Sequence, residues 1–522
     1  MLQTDSICQS LPNILADRAS SHPETTFIRT VDGEAVTYAA MEGNVRTWTE
    51  TLSRAGVGAS SNVLVMLPNS VESITVWMAI ARLSAVEVPI NSGYLGNMLS
   101  HVVNDCGARC LVVHARYLDR FEEIKSDIPN VETIIVVGDL PETGNSFFDL
   151  RVPLTKCELP PLALPQLASH DLACIVYTSG TTGPSKGVMM SWRQLIETAR
   201  WCIPIEDLTS EDIWYCPWQL YHVSGKLSVV GTAMANATLV LRETFSTSQF
   251  WDDIKRFGCT TTMLVGSTIL FLEAQPPSAE DKKHPLRNVY VCPLPSNPNT
   301  FMERFGVRLC TAFNMTETSC PIVTGWQLGP GDSCGRPRPG VQCRIVDDHD
   351  EEVPVGTVGE LLIRTEHPWE LMSGYWNRPA ATTEVWRNQW LHTGDAFKCD
   401  AEGNYFFVDR MKYAIRRRGE NVSSTEVEME VNAHPDVAES AAIGVPSEWG
   451  EEDIKVFVVT KNGEDIDPVG LIEFLSARVP RFMLPRYIVS VSEIPKTHTF
   501  RAKKEELRSM KTEHRTWDRS AQ

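Results

Sequence analysis

The 522-residue chain predicts an α/β fold, with a large N-terminal part of helix-covered, mostly parallel sheets and a smaller α+β part at the C-terminus. Three observations lead there. Apolar, β-branched runs alternate with helix-period segments through the first part, which is the pattern of βαβ units. A loop of Gly, Ser and Thr leaves one of the apolar runs, the usual place for a phosphate loop. Near residue 410 the texture turns charge-rich and then breaks into shorter alternating units, which leaves about 110 residues, a normal domain size. A chain of this length exceeds one ordinary core and is expected to form folding units of roughly 100–200 residues each.

The elements follow in order. "NVLVMLPNSVESITVWMAIARLSAVEVPIN" reads as a strand over 63–67, a helix opened by Asn69 with Glu72 three residues on as a capping box, and a strand over 85–90. Apolar runs at 110–113 and 133–137 continue the alternation and extend a parallel sheet. "LACIVY", 172–177, is a buried strand that runs into "YTSGTTGPSKGVMMS". There Gly180, Gly183 and Gly187 free the backbone to turn its N–H groups inward, and Thr178, Ser179, Thr181, Thr182 and Ser185 add hydroxyl donors beside Lys186. Such a concavity suits a polyphosphate. It is not a Walker A loop, because Lys186 stands between Ser185 and Gly187 rather than between Gly and Ser or Thr. A flexible linker of the same composition would seldom follow a buried strand.

In the last part, "SAAIGVP" and "IKVFVVT" read as strands, "DPVGLIEFLSARV" as a helix, and Ser423 with Glu426 as a second capping box. The boundary is placed near 409–412, giving units 1–409 and 410–522. Arg416 to Arg418 are either a solvated face or a site for a phosphate-rich ligand.

Composition sets limits on function. A formal charge of −18 argues against nucleic-acid binding and against a basic membrane-surface role. The 14 cysteines form no C-x-x-C pair, Cys106 and Cys110 being the closest spacing, so neither a disulfide framework nor a zinc site is expected and a reducing cytoplasm is. The N-terminus has no basic region followed by an apolar run, and no stretch reaches 18 uninterrupted apolar residues, so a soluble cytoplasmic protein with no transmembrane segment is expected.

Six motifs stand in one order: the loop at 177–191, "AFNMTET" (312–318), "GELLIR" (359–364), "LHTGD" (391–395), "DRMKYAIRRRGENVSSTEVE" and "PKTHTFRAKKEELR". In kind and order they resemble those of adenylate-forming acyl-CoA synthetases, across nearly the whole chain, and most of all the carnitine/crotonobetaine-CoA ligase type and the neighbouring medium-chain and aryl-CoA ligases. The resemblance implies a two-step reaction. A carboxylic acid and ATP give acyl-AMP and pyrophosphate, and CoA then displaces AMP; ATP, Mg²⁺ and CoA are implied with a small-molecule carboxylic acid, and homo-oligomerisation is left open.

The resemblance also implies roles. The loop at Thr178, Ser179, Gly180, Thr181, Thr182 and Gly183 holds the β- and γ-phosphates, with Lys186 as counter-charge. Glu317 directs Mg²⁺ and the Thr316 hydroxyl meets the α-phosphate. Phe313 and Asn314 stand at the adenine, Asp395 accepts from the ribose hydroxyls, and Arg410 reaches the ribose. Lys412 is the hinge of a mobile C-terminal domain, and Gly419 lines the pantetheine channel.

Departures from the family pattern bear on the acid and on adenylation. Asn314 stands where many relatives have glycine. "VYVCPLP" replaces the usual "GGAPL", with Val291 at a glycine position that borders the acyl pocket, so a shorter or narrower pocket is expected. "DIWYCPWQLYHVSG" clusters Trp214, Tyr215, Trp218 and Tyr221 before His222, the acid-site gate; these rings are walls of an ordinary acyl site or a cage for a quaternary ammonium group. Phe500 and Arg501 stand in place of the Gly-Lys that reaches the substrate carboxylate and α-phosphate. Arg501 does the lysine's work, or Lys503 substitutes, or adenylation is weakened. Two other function classes stay open at this point: a standalone adenylating enzyme that loads a carrier protein, and a nucleotide-binding descendant with weakened chemistry.

Overall fold

The computed structural model describes residues 10–139, 167–178, 184–295, 297–410, 414–418, 420–495, 502–512 and 515–521. The chain divides into two compact units, one of Met1–Ser92, Val103–Tyr177 and Gly187–Asp409, the other of Gly93–Val102, Thr178–Lys186 and Arg410–Gln522.

In the larger unit, runs of Val, Ile and Leu flanked by turn residues form the strands of two seven-stranded sheets. The first runs, in spatial order, Gly374–Tyr375, Lys186–Ser191, Leu172–Thr178, Val86–Pro89, Asn62–Met66, Cys110–His114 and Thr133–Val137. Its central pairings, such as Val63 with Glu87 and with Cys110, are parallel. The second runs Arg308–Cys310, Asn288–Val291, Thr261–Leu264, Ile213–Cys216, Thr238–Leu241, Thr26–Thr30 and Ala35–Thr37, all parallel except the last pair. One continuous core joins strands of both sheets with the helices Val71–Arg82, Trp192–Cys202 and Val223–Ala235. The helix Val71–Arg82 carries apolar residues on every side because it is enclosed on every side. Its Trp77 stacks on Trp192 at 5.4 Å and donates to the Ala173 carbonyl at 3.0 Å. An antiparallel sheet follows, with Val341–Val346, Gly359–Thr365 and Trp390–Cys399 at its centre.

The smaller unit has a four-stranded sheet, Val437–Pro446, Glu452–Thr460, Tyr487–Ser490 and Thr516–Asp518, with the helices Ser424–Asn432 and Pro468–Ser476. Its core gathers Ala441, Ile443, Phe457, Val489 and Leu507.

Two local readings change. The helix after Asn62–Met66 is capped by Ser70 and Ser73, whose side chains each accept from the other's backbone N–H at 3.2 Å, and not by Asn69 and Glu72. Asn69 turns outward instead: its amide donates to the Trp218 and Arg242 carbonyls, and its oxygen accepts from Leu220 N–H. Long-range partners outbid the local cap. The last strand, Thr516–Asp518, had no sequence expectation, since its three half-buried residues carry no alternation to read. The side chain of Ser423, in the second expected capping box, lies outside the described residues.

Candidate active site

The motif "AFNMTET" begins as a two-residue strand, Ala312–Phe313, and then turns sharply. Asn314 makes the turn: its side-chain oxygen accepts from Cys320 N–H at 2.7 Å and from the Thr318 hydroxyl at 3.1 Å. Asn314 is thus a strut of the 314–320 loop. Gln194 holds the same loop from the adjacent helix, donating to the carbonyls of Thr316 and Thr318 at 2.8 and 2.9 Å. A buried network of Arg193, Glu370 and Arg338 supports it further, Arg338 donating to Glu370 and to the Ser319 hydroxyl. Sequence reasoning missed all of these supports, which come from distant stretches of chain.

Glu317 is buried, and the Tyr375 hydroxyl donates to its Oε1 at 2.8 Å. A carboxylate held in this way is a hard, oriented oxygen donor. Among the described residues no cluster of three or more acidic, His or Cys side chains could hold a metal by itself. One carboxylate with the remaining positions left to phosphate and water is the donor set Mg²⁺ accepts, so these residues fit that ion.

Phe313 is buried and meets Phe397 edge-on, with ring centroids 4.8 Å apart. Phe397 and Asp395 lie on one strand, Trp390–Cys399, whose pairing with Gly359–Thr365 shifts register between Ala396 and His392. Phe313 of one motif thereby packs against the strand that carries Asp395 of another, 82 positions on in the numbering. The turn that carries Asp395 is held by Glu360 of "GELLIR", which accepts from Gly394 N–H at 2.9 Å and bonds the His392 ring at 3.0 Å. Burial pushes the Glu360 carboxyl up, but the His392 and Gly394 bonds outweigh it and hold the group below the usual glutamate range. Gly394 takes a φ of +70°, a conformation side chains resist.

Thr178 ends one strand and Lys186, half-buried, opens its neighbour in the sheet. Gly187 lies inside that strand: a Cβ there would sit 2.6 Å from the Ile175 side chain and 3.1 Å from the Tyr177 ring. Its glycine is required by packing rather than by the turning of the loop. Ser179, Gly180, Thr181, Thr182, Gly183, Lys412, Gly419, Phe500 and Arg501 lie outside the described residues, as does the side chain of Arg410. Lys503 pairs with Glu506 at the surface at 2.6 Å.

The acid-site residues rearrange most. Trp218 donates to the Met263 carbonyl at 2.7 Å and stacks over Phe245, and His222 precedes the helix Val223–Ala235 with its ring 4.7 Å from Tyr221. Trp214 and Tyr215, consecutive in one strand, point to opposite faces and are packed in separate cores, Tyr215 donating to Asp253 at 2.9 Å. The four aromatics do not form one cage. Val291 is fully buried among Phe250, Leu264 and Phe301, in the core on one side of its sheet. Strand alternation turns Tyr290 the other way, into the core that Trp218 packs against, and Tyr290 is in register with Met263. Val291 and Tyr290 thus face opposite sides of the strand.

No helix among the described residues is long and apolar enough to cross a membrane. The family model of AMP-binding enzymes matches residues 15–376, and that of the AMP-binding enzyme C-terminal domain matches 426–501. A crotonobetaine/carnitine–CoA ligase of Shigella sonnei is 31% identical over 474 residues, covering 88% of this chain and 90% of the relative. Among solved structures, a fatty acyl CoA synthetase of Mycobacterium tuberculosis superposes with a TM-score of 0.68 at 25% identity, over 96% of this chain and 98% of that one. A variant of the o-succinylbenzoate CoA synthetase of Bacillus subtilis shares the fold with a TM-score of 0.83 at 22% identity, over 96% and 99%. With its motifs in the expected order, Phe313 packed against the strand that carries Asp395 and these matches along its length, the chain belongs to the AMP-binding enzyme family and is an AMP-forming acid–thiol ligase.

Proposed function

We propose that this chain joins a monocarboxylic acid of short to medium length, or a compact aryl acid, to CoA in two steps, with the residues of the 312–318 and 390–399 segments as its nucleotide site. The packing of Phe313 against the strand that carries Asp395 supports the reading. It gives an adenine a ring to stack on and a ribose a two-oxygen acceptor from adjoining strands.

In the first step an oxygen of the substrate carboxylate attacks the α-phosphorus of ATP, the bond to the β-phosphate breaks, and pyrophosphate leaves with its electron pair. Glu317, aimed by Tyr375, would hold Mg²⁺, which when bound would supply charge neutralisation for the phosphates. The Thr316 hydroxyl donates to the α-phosphate, and the loop at 178–186 with Lys186 receives the β- and γ-phosphates. Arg501 offers the substrate carboxylate a forked pair of donors. Lys503, tied to Glu506, is the weaker candidate for that task. In the second step the CoA thiol, having lost its proton, adds to the acyl carbon and AMP departs.

Two features support the choice of acid and of acceptor. Tyr290, in register with the Met263 whose carbonyl receives the Trp218 indole, is a bulky buried side chain on this strand, which favours short acids. In the smaller unit Arg417 donates to the Phe482 and Leu484 carbonyls and pairs with Asp453, while Arg486, also on Asp453, accepts Arg519 N–H through its carbonyl. These ties bring Arg418 and Arg481 close to Arg519, whose charge burial and those two neighbours disfavour, as a group suited to the phosphates of CoA.

The test is an acid panel with ATP, Mg²⁺ and CoA. AMP, pyrophosphate and acyl-CoA are expected, and Glu317→Ala or Asp395→Ala should each lower turnover at least about tenfold, equivalent to about 1.4 kcal/mol of transition-state stabilisation. ADP with phosphate as products, or wild-type rates in both variants, would sink the assignment. Acylation of a phosphopantetheine carrier in preference to free CoA would favour the carrier-loading alternative.

A further inference from the structure

Lys226 is among the largest fully buried side chains of the protein, at 1% exposure, and Glu87, at 4%, is its partner. No step of the chemistry above uses either. Lys226 stands on the helix Val223–Ala235, one turn after His222, and its N–H donates to the His222 carbonyl at 3.3 Å, so the two residues share a helix face. Its ammonium bonds Glu87 on the strand Val86–Pro89 and lies 3.7 Å from the ring centroid of Trp77 on the helix Val71–Arg82.

The chain just before His222 is tied to the same βαβ unit. Asn69 grips the Trp218 carbonyl at 2.7 Å and Leu220 N–H at 2.9 Å. A Cβ on Gly225 would lie 2.4 Å from the Gln219 carbonyl oxygen, so the 218–222 loop rests directly on the first turn of the helix. Residues 218–226 are therefore fixed at one end by Asn69 and at the other by Glu87 and Trp77, and loop and helix turn move together.

Stability alone does not call for this arrangement. A buried ion pair is costly to desolvate, and a packed apolar pair of the same volume usually stabilises as well or better. Directional contacts add orientation. The helix Val223–Ala235 is rich in Gly, Ser, Thr and Ala, so it presents few large knobs to set its rotation; Arg18 donates to the Ala233 and Met234 carbonyls at its C-terminal end, and Lys226 supplies a long, directed contact in its first turn.

Resting on the acid site described above, we propose that Lys226, Glu87 and Trp77 form a positioning device that sets the rotation of the helix Val223–Ala235 and, through it, the placement of His222 and Trp218 that governs acid affinity. Lys226 and Glu87 are positioning residues and touch no reacting atom.

The experiment compares the full-length wild type with Glu87→Leu/Lys226→Met, which replaces both charges and leaves neither unpaired. The double variant is expected to melt within about 3 °C of wild type. Its KM for the best acid of the panel is expected to rise at least about tenfold, with kcat within about twofold and the KM for ATP unchanged. Hydrogen exchange followed by mass spectrometry should show faster exchange in peptides covering 218–226 and unchanged exchange in 312–318. Wild-type acid KM in the folded double variant, or wild-type exchange in 218–226, overturns the proposal. Should the double variant not fold, Glu87→Gln, which removes the charge and keeps the shape, is read by the same measurements, and wild-type values in it overturn the proposal too. Absence of acid-dependent AMP from the wild type would sink the functional reading instead, and the exchange measurement would still decide the positioning.

Discussion

Asn314 shows how a departure in a motif acquires a reason once its partners are visible. Where glycine would leave the turn to its backbone, Asn314 binds Cys320 N–H and the Thr318 hydroxyl and fixes the loop that presents Thr316 and Glu317. The change at Arg501 is larger, because a planar guanidinium replaces a compact ammonium. With Lys503 held by Glu506 at the surface, Arg501→Ala should slow acyl-AMP formation at least about a hundredfold while leaving thioester formation from supplied acyl-AMP within about threefold. Lys503→Ala should change neither half-reaction. Pyrophosphate exchange and single-turnover thioester assays separate the two; a damaging Lys503→Ala beside a silent Arg501→Ala would refute the assignment. The neighbouring Lys504 is buried and bonded to Ser424 and Glu428, a structural tie between the last helix and Ser424–Asn432.

Among the elements, the strand Asn288–Val291 carries the proposal on acid size through its alternation. Tyr290→Ala should extend the acids accepted by several carbons, each further methylene changing discrimination by roughly 1–3 kcal/mol, as competition between acids would show. Val291→Gly should leave the acid profile unaltered and lower stability by about 3 kcal/mol through a cavity among Phe250, Leu264 and Phe301. A Val291 variant with wild-type stability and a longer acid range would reverse that reading. The strand Trp390–Cys399 carries a pH dependence. Because Glu360 is held below its ordinary value, its contribution is complete above the unfolded glutamate pKa of about 4.3 and is lost as pH falls through the lower folded value. Melting temperature should fall less steeply with acid in Glu360→Gln than in wild type, and the KM for ATP should rise several-fold at neutral pH. Parallel melting curves below pH 4.3 would show that Glu360 does not hold the turn.

For the whole molecule, the proposal that one C-terminal domain serves both half-reactions in turn places its pivot at Lys412, and proline there would fix φ and restrict the swing. Lys412→Pro should keep pyrophosphate exchange within about fivefold of wild type and slow thioester formation at least about a hundredfold. Equal loss in both half-reactions would indicate simple misfolding of the junction, and no loss in either would remove Lys412 as the hinge.

The sequence by itself determined the fold class and the order of the motifs, because both are local: apolar alternation makes strands, and a loop of Gly, Ser and Thr after a strand is legible wherever it stands. The strands at 110–113, 133–137 and 172–177 emerged within a residue of their expected ends for that reason. Tertiary structure decided what depends on partners far along the chain. It took Asn69 from its helix cap to Trp218, sent Trp214 and Tyr215 to opposite cores, did the same with Tyr290 and Val291, and paired Lys226 with Glu87 across 139 positions. Each of these is a choice between two faces or two hydrogen-bond partners that are equivalent locally, and only packing and the satisfaction of buried polar groups make them unequal.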